Sequence, residues 1–401
     1  MLNPKTNQRE LAYVVKIDNI EPIQGSDNCE AAIVNGWRIM VRKNTFKAGD
    51  LAIYFEIDSK LDTEKPEFAF LEKKHGKIKT QRYTFGGKGL MISQGLLMSP
   101  ADFGWEVAGD EIRANDEVYT EGSFLTEALG VTYSVEEDNK RKAPSTDKYK
   151  KMASRHPKLF KNPIVRKIYK TKFGKKILFF FFGRKKDTGN AWPSWVQKTD
   201  EERVQNMPWI LNDKSEWIAT EKIDGTSTTF TMKKERGKYK FYVCSRNVCF
   251  STRENKDCYY NTNVYLEMAE KYGIEQKLKD LMVEHGLDWI TLQGETYGDG
   301  IQKRTYSTKE HGFMGFNLIF SDEGRLNSVR AAALCLEKGI PWVPIVDRHF
   351  VLPDTVDELL EIATGESVLD GKEREGLVFR SQDGVKSFKA VSNSFLLKYH
   401  G

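Results

Sequence analysis

The 401-residue sequence predicts an α+β protein made of two β-rich domains. Short apolar runs separated by tight turns fill the first part of the chain and favour a small β-barrel domain over residues 1–120. A strongly basic stretch replaces that pattern, so residues 121–190 are predicted to be a connector or insert. Longer β-type runs then recur over residues 191–401, as expected for a second domain built on antiparallel sheets.

The strands of the first domain are predicted from four apolar runs and the turn between two of them. The runs are Leu11–Ile17, Ala31–Val34, Trp37–Val41 and Leu51–Phe55. Asn35-Gly36 joins the second run to the third, and this dipeptide favours a two-residue hairpin turn because both positions tolerate positive φ. Short strands with tight turns are typical of small barrels.

Positive charge is concentrated in the connector. Between Lys140 and Lys186 there are 18 lysine and arginine residues and one acidic residue, Asp147, which gives +17 in a chain whose total is +5. Such a run fits a solvated linker or a surface that contacts phosphate groups. Within it, Ile177–Phe182 is six apolar residues long, too short to span a bilayer. It could be a buried strand or helix, or a membrane-surface or partner patch.

The cysteines and the start of the chain suggest a reducing, intracellular setting. The five cysteines are odd in number and scattered, and Met1–Glu10 is polar rather than signal-like. Cys244 and Cys249 are close in sequence, but no Cys/His set completes a zinc site. We expect a cytoplasmic protein without a membrane span, and a viral or nuclear origin remains open.

The most informative string is Glu221-Lys222-Ile223-Asp224-Gly225-Thr226, between the β-type segments Trp217–Ala219 and Thr228–Met232. A lysine amine becomes a nucleophile when burial or nearby cations lower its pKa from about 10.4. The aspartate two positions later can hold the water shell of a divalent ion, and the glycine lets the backbone turn closely. The alternative interpretation is a surface lysine that precedes a β-turn.

Five further strings follow in order, each within or at the end of a β-type run, as expected for strands that converge on one pocket. They are Cys244-Ser245-Arg246-Asn247, Gly294-Glu295-Thr296-Tyr297-Gly298, Phe316-Asn317, Glu375-Gly376-Leu377-Val378-Phe379 and Lys386-Ser387-Phe388-Lys389. With the Lys222 string they resemble motifs I, Ia, III, IIIa, IV and V of the ATP-dependent RNA ligases. The resemblance spans Lys222 to Lys389, most of the second domain.

The resemblance implies a nucleotide-binding group of residues. Lys222 would be the nucleophile that becomes lysyl-AMP. Glu221 and Ile223 would meet the adenine edge partly through their backbone, with Gly225 close to the nucleotide. Phe316 would stack on the adenine, although plain core packing explains a phenylalanine in a strand equally well.

The resemblance also implies a charged group of residues around the phosphates. Asp224, Glu375 and Glu295 would hold Mg²⁺ or Mn²⁺ through water, and Glu295 could instead contact the ribose. Arg246 would contact the phosphates or the acceptor end, and Lys389 would neutralise the α-phosphate.

One position departs from the family pattern, which usually offers two lysines two residues apart in its last motif. Here Ser387 and Val391 occupy the positions flanking Lys389 at that spacing. The second cation is therefore open, with Lys386 through a bulge, or Lys398, as candidates.

Two features favour the RNA ligase 5 group within that family. The string Lys198–Asn206 resembles the segment before motif I in that group, and Thr199 with Glu202 also predicts a capping box that starts a short helix. Val14–Lys60 resembles the group's OB fold. The chain ends about a dozen residues after Lys389, where DNA ligases and capping enzymes would continue into an OB domain.

The sequence therefore predicts an ATP-dependent RNA ligase with an OB-like barrel in front of an ATP-grasp-like nucleotidyltransferase domain. It would use ATP and Mg²⁺ or Mn²⁺, act as a monomer, and seal 3′-OH/5′-phosphate ends of RNA, including nicks in duplexes. The alternatives are a DNA ligase, a capping-type guanylyltransferase, or a non-catalytic nucleic-acid-binding protein with this fold.

Overall fold

The structure is a computed structural model. It describes residues 1–6, 8–85, 90–114, 116–133, 162–171, 174–176, 178, 192–250 and 263–399. Most of the basic connector therefore lies outside the described residues, and so do Cys258 and all of Ile177–Phe182 except Leu178. Within the described part of the chain, no helix combines the length and apolarity needed to cross a membrane.

The N-terminal part is almost entirely β-structure. Its strands are β1 Ala12–Lys16, β2 Asn19–Pro22, β3 Cys29–Val34, β4 Trp37–Arg42, β5 Leu51–Phe55, β6 Ser59–Lys60, β7 Gln81–Thr84, β8 Leu90–Ser93, β9 Leu96–Met98, β10 Glu106–Ala108, β11 Glu111–Ala114, β12 Glu117–Thr120 and β13 Thr132–Tyr133. Two 3₁₀ helices, Pro66–Lys74 and Pro100–Phe103, connect them.

The C-terminal part combines long strands with short helices. Its strands are β14 Glu216–Lys222, β15 Thr226–Glu235, β16 Lys238–Cys244, β17 Cys249–Phe250, β18 Trp289–Tyr297, β19 Gly312–Phe320, β20 Gly324–Arg325, β21 Ile345–Val351, β22 Gly376–Ser381 and β23 Ser387–Val391. The α-helices are α1 Pro163–Tyr169, which belongs to the connector, α2 Val264–Lys271, α3 Ile274–His285, α4 Ser328–Glu337, α5 Val356–Ala363 and α6 Asn393–Tyr399. Two 3₁₀ helices, Val204–Asn206 and Pro208–Asn212, precede β14.

The structure confirms the predicted barrel strands. All four apolar runs form strands, in the three-stranded sheets β1-β5-β9 and β2-β3-β4. Asn35 and Gly36 have φ of 46° and 74°, so the predicted hairpin turn between β3 and β4 is present. The buried residues of this domain continue past residue 120, because Leu125, Leu129 and Val131 pack into the same core as Ile53.

The second domain contains two antiparallel sheets, as predicted. Strand order is β21-β14-β22-β23 in the four-stranded sheet and β17-β16-β15-β18-β19-β20 in the six-stranded sheet. The chain passes from one sheet to the other at the turn between β14 and β15, directly after Lys222. This crossing brings the two sheets together at the end of β14, where the Lys222 string lies.

The two domains contact each other through the turn between β3 and β4. A Cβ atom added to Gly36 would lie 2.7 Å from both Val356 Cγ1 and Leu360 Cδ1 of α5, so only glycine fits at this contact. Close by, the Arg203 guanidinium lies 5.7 Å from the centre of the Trp37 ring. The barrel therefore packs against the 3₁₀ segment and helix that flank the four-stranded sheet.

The prediction of a helix that starts after Thr199 is wrong. Residues 199–202 form no helix, and the 3₁₀ helix starts at Val204. The Glu202 carbonyl instead accepts the Lys389 amide at 2.7 Å, and Arg203 forms a parallel bridge with Lys389. Pairing with β23 thus holds this segment extended, and local capping chemistry does not decide its structure.

A buried ion pair joins two loops of the second domain. Arg304 donates from Nη1 and Nη2 to Asp370 Oδ2 and Oδ1 at 2.7 and 2.6 Å, and both side chains are almost fully buried. The Arg304 hydrogen bond holds the pKa of Asp370 down at about 2. The pair fastens the loop after β18 to the loop before β22.

We expect Asp370→Ala to lower the free energy of unfolding by about 3 kcal/mol, because it leaves the Arg304 charge buried without its partner. Urea unfolding followed by circular dichroism measures this change. As a control, Asp354→Ala removes an exposed pair with Lys214 and should leave the midpoint unchanged. Equal midpoints for both variants would show that the buried pair does not stabilise the fold.

Candidate active site

A cavity of about 340 Å³ opens where the two sheets of the second domain meet. It gathers most of the residues predicted from the motifs. They are Glu221, Lys222, Ile223, Gly225, Arg246, Glu295, Phe316 and Lys389. Larger clefts of 510 and 610 Å³ lie elsewhere, and no residue of the six motif strings lines either of them.

The sheet geometry places Lys222 at the cavity. It is the last residue of β14 and pairs with Gly376 of β22, so its side chain leaves the sheet beside Glu375. The following turn is tight, since a Cβ atom on Gly225 would lie only 2.3 Å from the Thr296 carbonyl oxygen. Glycine is therefore required for the chain to cross from β14 to β15 so close to β18.

Three carboxylates surround the Lys222 amine. Nζ lies 2.7 Å from Glu375 Oε2. Burial lowers the pKa of Lys222, but Glu375, Glu295 and Asp224 outweigh it and raise this pKa above its usual value. The amine is therefore protonated in the protein alone, and its activation needs a change in the charge around it.

Glu295 has a partly buried carboxyl group that interacts with the Lys222 amine, and its pKa is strongly perturbed. Burial raises the pKa of Glu295 to about 8, opposed by Lys222 and reinforced by Glu375 and Asp224. Carboxylates crowded in this way favour a cation in their midst. Among the residues described, no three His, Cys, Asp or Glu side chains are close enough to ligate a metal ion directly.

The predicted cations lie on the other side of the cavity, joined by an aspartate. Arg246 Nη2 donates to Asp200 Oδ2 at 2.5 Å, and Lys389 Nζ lies 3.9 Å from Asp200 Oδ1. Burial and the neighbouring Lys222 charge lower the pKa of Lys389. Lys389 is thus a partly buried cation that interacts with the amine.

Phe316 lines the cavity and also packs against the core of the six-stranded sheet. The Arg380 guanidinium lies 5.6 Å from the centre of its ring. Arg380 is itself buried, and it donates to Asn317 Oδ1 and Thr220 Oγ1, at 3.1 Å each. The Phe316 ring therefore belongs both to the core and to the cavity wall, and its stacking on adenine stays a prediction.

Glu221 and Ile223 both line the cavity, and their side chains have contacts of their own. The Glu221 carboxylate is buried, where it accepts the Ser367 hydroxyl at 2.5 Å and the Val368 amide at 2.9 Å. Ile223 belongs to the hydrophobic core. Both side chains thus have partners within the protein, and the adenine contact through the peptide groups stays a prediction.

The structure does not bring Lys386 to the cavity. Its Nζ donates to Asp213 Oδ2 at 2.7 Å, on an exposed surface, and β23 begins one residue later without a bulge. The prediction of a nucleotide contact for Lys386 therefore does not fit this structure. Lys398 is also elsewhere, 3.6 Å from Glu373.

Sequence reasoning gave no role to three residues that the structure places at the site. Asp200 and Arg380 line the cavity, and Arg203 is partly buried where it interacts electrostatically with Glu375 and Lys389. Asp200 and Arg203 lie in the string that resembles the segment before motif I, so that string was the available signal. Arg380 follows the Glu375 string by one residue, and only its strand position indicates an inward side chain.

The arrangement can bind a polyanion next to the Lys222 amine. Cations on one side can hold phosphate oxygens, carboxylates on the other can hold a cation through water, and Phe316 offers an aromatic face.

Comparisons with known proteins agree with this geometry. Residues 215–400 match the RNA ligase family model, and residues 11–99 match an OB-fold domain model. A comparison with curated protein sequences found no match.

Solved structures of the Naegleria gruberi RNA ligase are similar over almost the whole chain. A mutant with ATP and Mn is 26% identical, with a TM-score of 0.62 and coverage of 98% of this chain and 99% of that chain. A mutant with AMP and Mn is 27% identical, with a TM-score of 0.62 and the same coverage. The ligase with PPi is 27% identical, with a TM-score of 0.61, and again covers 98% and 99%.

Proposed function

Since this chain carries an RNA ligase domain behind an OB-fold domain, we propose that it joins RNA ends with ATP through a lysyl-AMP intermediate on Lys222. The observation that carries the proposal is the Lys222 amine, held 2.7 Å from Glu375 in a cavity that also contains Glu295, Lys389 and Phe316. The similar Naegleria gruberi structures hold ATP or AMP with Mn, which supports the same ligands here.

The first step is nucleotide transfer to the chain. The deprotonated Lys222 Nζ forms a bond to the α-phosphorus of ATP, and the bond to the pyrophosphate oxygen breaks in line with it. Glu375 is hydrogen-bonded to Nζ and can take its proton. Lys389 and Arg246 offset the negative charge that grows on the phosphate oxygens.

Two further transfers complete sealing. An oxygen of the RNA 5′-phosphate displaces Lys222 from the AMP, which leaves the RNA end adenylylated. The neighbouring 3′-hydroxyl then attacks the 5′-phosphorus, and AMP leaves. In both steps the same cations face a phosphorus centre, so one cavity serves all three reactions.

The carboxylates fit the Mg²⁺ or Mn²⁺ that this chemistry needs. Asp224, Glu295 and Glu375 would hold the ion through its waters, which suits an ion that dehydrates reluctantly. Bound there, it would neutralise phosphate charge and relieve the excess negative charge that keeps Lys222 protonated.

We further propose that the front half of the chain holds the RNA. OB folds offer a groove for nucleic acid, and the OB-fold domain packs directly against the second domain beside Arg203. The RNA would include nicked duplexes, with ribose on the 3′-hydroxyl side, and the protein would act as a monomer in a reducing intracellular compartment.

The test is incubation with labelled ATP or labelled GTP and Mg²⁺, without RNA, followed by denaturing electrophoresis. Label retained from ATP alone supports the ligase. Label from GTP alone would indicate capping chemistry, and no label from either would favour a non-catalytic binding protein. Sealing of matched RNA and DNA nicks then separates an RNA ligase from a DNA ligase.

The basic connector gives a separate prediction for RNA binding. We expect a variant with Lys148, Lys150, Lys151, Lys158 and Lys161 changed to Gln to bind RNA more weakly, while AMP labelling persists. Each lost phosphate contact should make the slope of log affinity against log salt shallower by roughly 0.7 to 0.9.

Binding titrations at several salt concentrations measure that slope. Changing Lys277 and Lys279 to Gln on α3 is the control, and it should leave the slope unaltered. An unchanged slope in the connector variant, with loss of membrane or partner association instead, would mean that the segment serves localisation.

A further inference from the structure

The turn that follows Lys222 is held by a tyrosine from a distant loop. The Asp224 amide donates to Tyr306 Oη at 2.6 Å. Tyr306 is buried and lies in the irregular loop between β18 and β19. Its hydroxyl thus accepts from the peptide group two residues after the nucleophile, in the segment that carries the chain from one sheet to the other.

The same loop holds the next peptide group as well. Gln302 Nε2 donates to the Gly225 carbonyl at 3.1 Å. Two side chains, four positions apart, therefore bind an amide and a carbonyl on consecutive residues of the turn. Gly225 also packs closely against β18. A Cβ atom at this position would lie only 2.3 Å from the Thr296 carbonyl oxygen.

Independent contacts determine where the Tyr306 ring lies. The Arg304 guanidinium is 4.3 Å from the ring centre, and Asp370 holds that guanidinium with two hydrogen bonds. Tyr297 packs edge-on against the ring at 5.2 Å. The ring is therefore fixed by the loop that precedes β22, and not only by its own turn.

The backbone at Tyr306 is also unusual. Tyr306 and Ser307 have φ of 52° and 56°, a left-handed conformation that non-glycine residues adopt at a cost. Such conformations persist only where the surroundings enforce them, and they cluster at functional sites. Here the left-handed conformation places Tyr306 Oη within hydrogen-bonding distance of the Asp224 amide.

We propose that Tyr306 is a positioning residue for the nucleophile, which acts by fixing the Ile223–Gly225 turn so that Lys222 Nζ faces the α-phosphorus. The inference rests on the proposed function. Transfer to an amine needs an aligned attack, and a displacement of about 1 Å can cost a hundredfold in rate. Loss of the hydroxyl also leaves the buried Asp224 amide without this acceptor, so the turn must shift to satisfy it.

The test is Tyr306→Phe, which keeps the ring and its packing and removes only the oxygen. We expect the maximal rate of lysyl-AMP formation in a single turnover to fall about 10- to 100-fold. The ATP concentration at half-maximal rate should change by less than about threefold, because the nucleotide contacts remain. Joining of RNA that is already 5′-adenylylated should fall much less, since Lys222 is not the nucleophile in that step.

Tyr54→Phe is the matched control. It removes a buried tyrosine hydroxyl that donates to the Gln94 carbonyl at 3.0 Å in the barrel, and it should leave the lysyl-AMP rate unchanged. Thermal unfolding of both variants shows whether each remains folded at the assay temperature.

Three outcomes would overturn the inference while wild-type labelling still supports the ligase. They are an unchanged labelling rate in Tyr306→Phe, a change confined to the ATP dependence, or an equal fall in lysyl-AMP formation and in joining of adenylylated RNA. Failure of the wild-type protein to label with ATP would instead remove the proposed function itself.

Discussion

We expect Lys222→Ala to abolish covalent labelling of the protein with AMP and to leave the fold intact. The expectation follows from position, because Lys222 is the cavity lysine that lies within hydrogen-bonding distance of a carboxylate, Glu375. Removal of an amine nucleophile eliminates the covalent route entirely, so labelling should fall below detection rather than merely slow down. Labelled ATP, denaturing electrophoresis and circular dichroism measure label and fold together.

Lys386→Ala is the matched control for this result. Lys386 belongs to the last motif string but lies outside the cavity, where it pairs with Asp213. It should label like the wild-type protein. Persistent labelling of Lys222→Ala would show that Lys222 is not the nucleophile. Loss of labelling in Lys386→Ala would show that Lys386 acts in the active site.

The second large effect is expected for the carboxylate that contacts the nucleophile. Glu375→Gln should slow nick sealing by roughly 10²- to 10³-fold, because it removes the proton acceptor at Lys222 and one negative charge from the cation site. Rapid-quench measurements of each step assign the loss to lysyl-AMP formation or to joining. We expect losses of similar order for Asp224→Ala and Glu295→Ala.

Glu375→Gln should also change the pKa of Lys222. Glu375 raises the pKa of Lys222, so its neutralisation should lower that pKa. Glu373→Gln, two residues away and directed at Lys398, is the control and should seal normally. Sealing by Glu375→Gln at the wild-type rate would exclude Glu375 from the site.

Local patterns were sufficient for the strands, and the resemblance of the six strings to RNA ligase motifs indicated most of the cavity lining. The hairpin at Asn35-Gly36 followed from the φ that these residues tolerate. The β-type segments Trp217–Ala219 and Thr228–Met232 lie within β14 and β15, on either side of the Lys222 string. Such signals extend over a few neighbouring residues, and a sequence displays them directly.

Local patterns failed where a distant strand set the backbone. Thr199 and Glu202 have the residue types of a capping box, yet pairing between Glu202 and Lys389 keeps the segment extended. Lys386 has the charge of a phosphate ligand, yet the regular register of β23 turns it toward Asp213. In both cases the free energy of a tertiary contact exceeds a local preference worth about 1 kcal/mol.

By itself the sequence determined the β-rich architecture, through its apolar runs and tight turns. It also indicated the chemistry, through the residue types and order of the Lys222 string and the strings that follow it. Only the tertiary structure decided which groups surround the amine. Asp200 reaches Arg246, and Tyr306 reaches the Asp224 amide across 82 positions of the chain. The physical reason is that strand register and the crossing between two sheets fix these approaches, and no short segment contains that information.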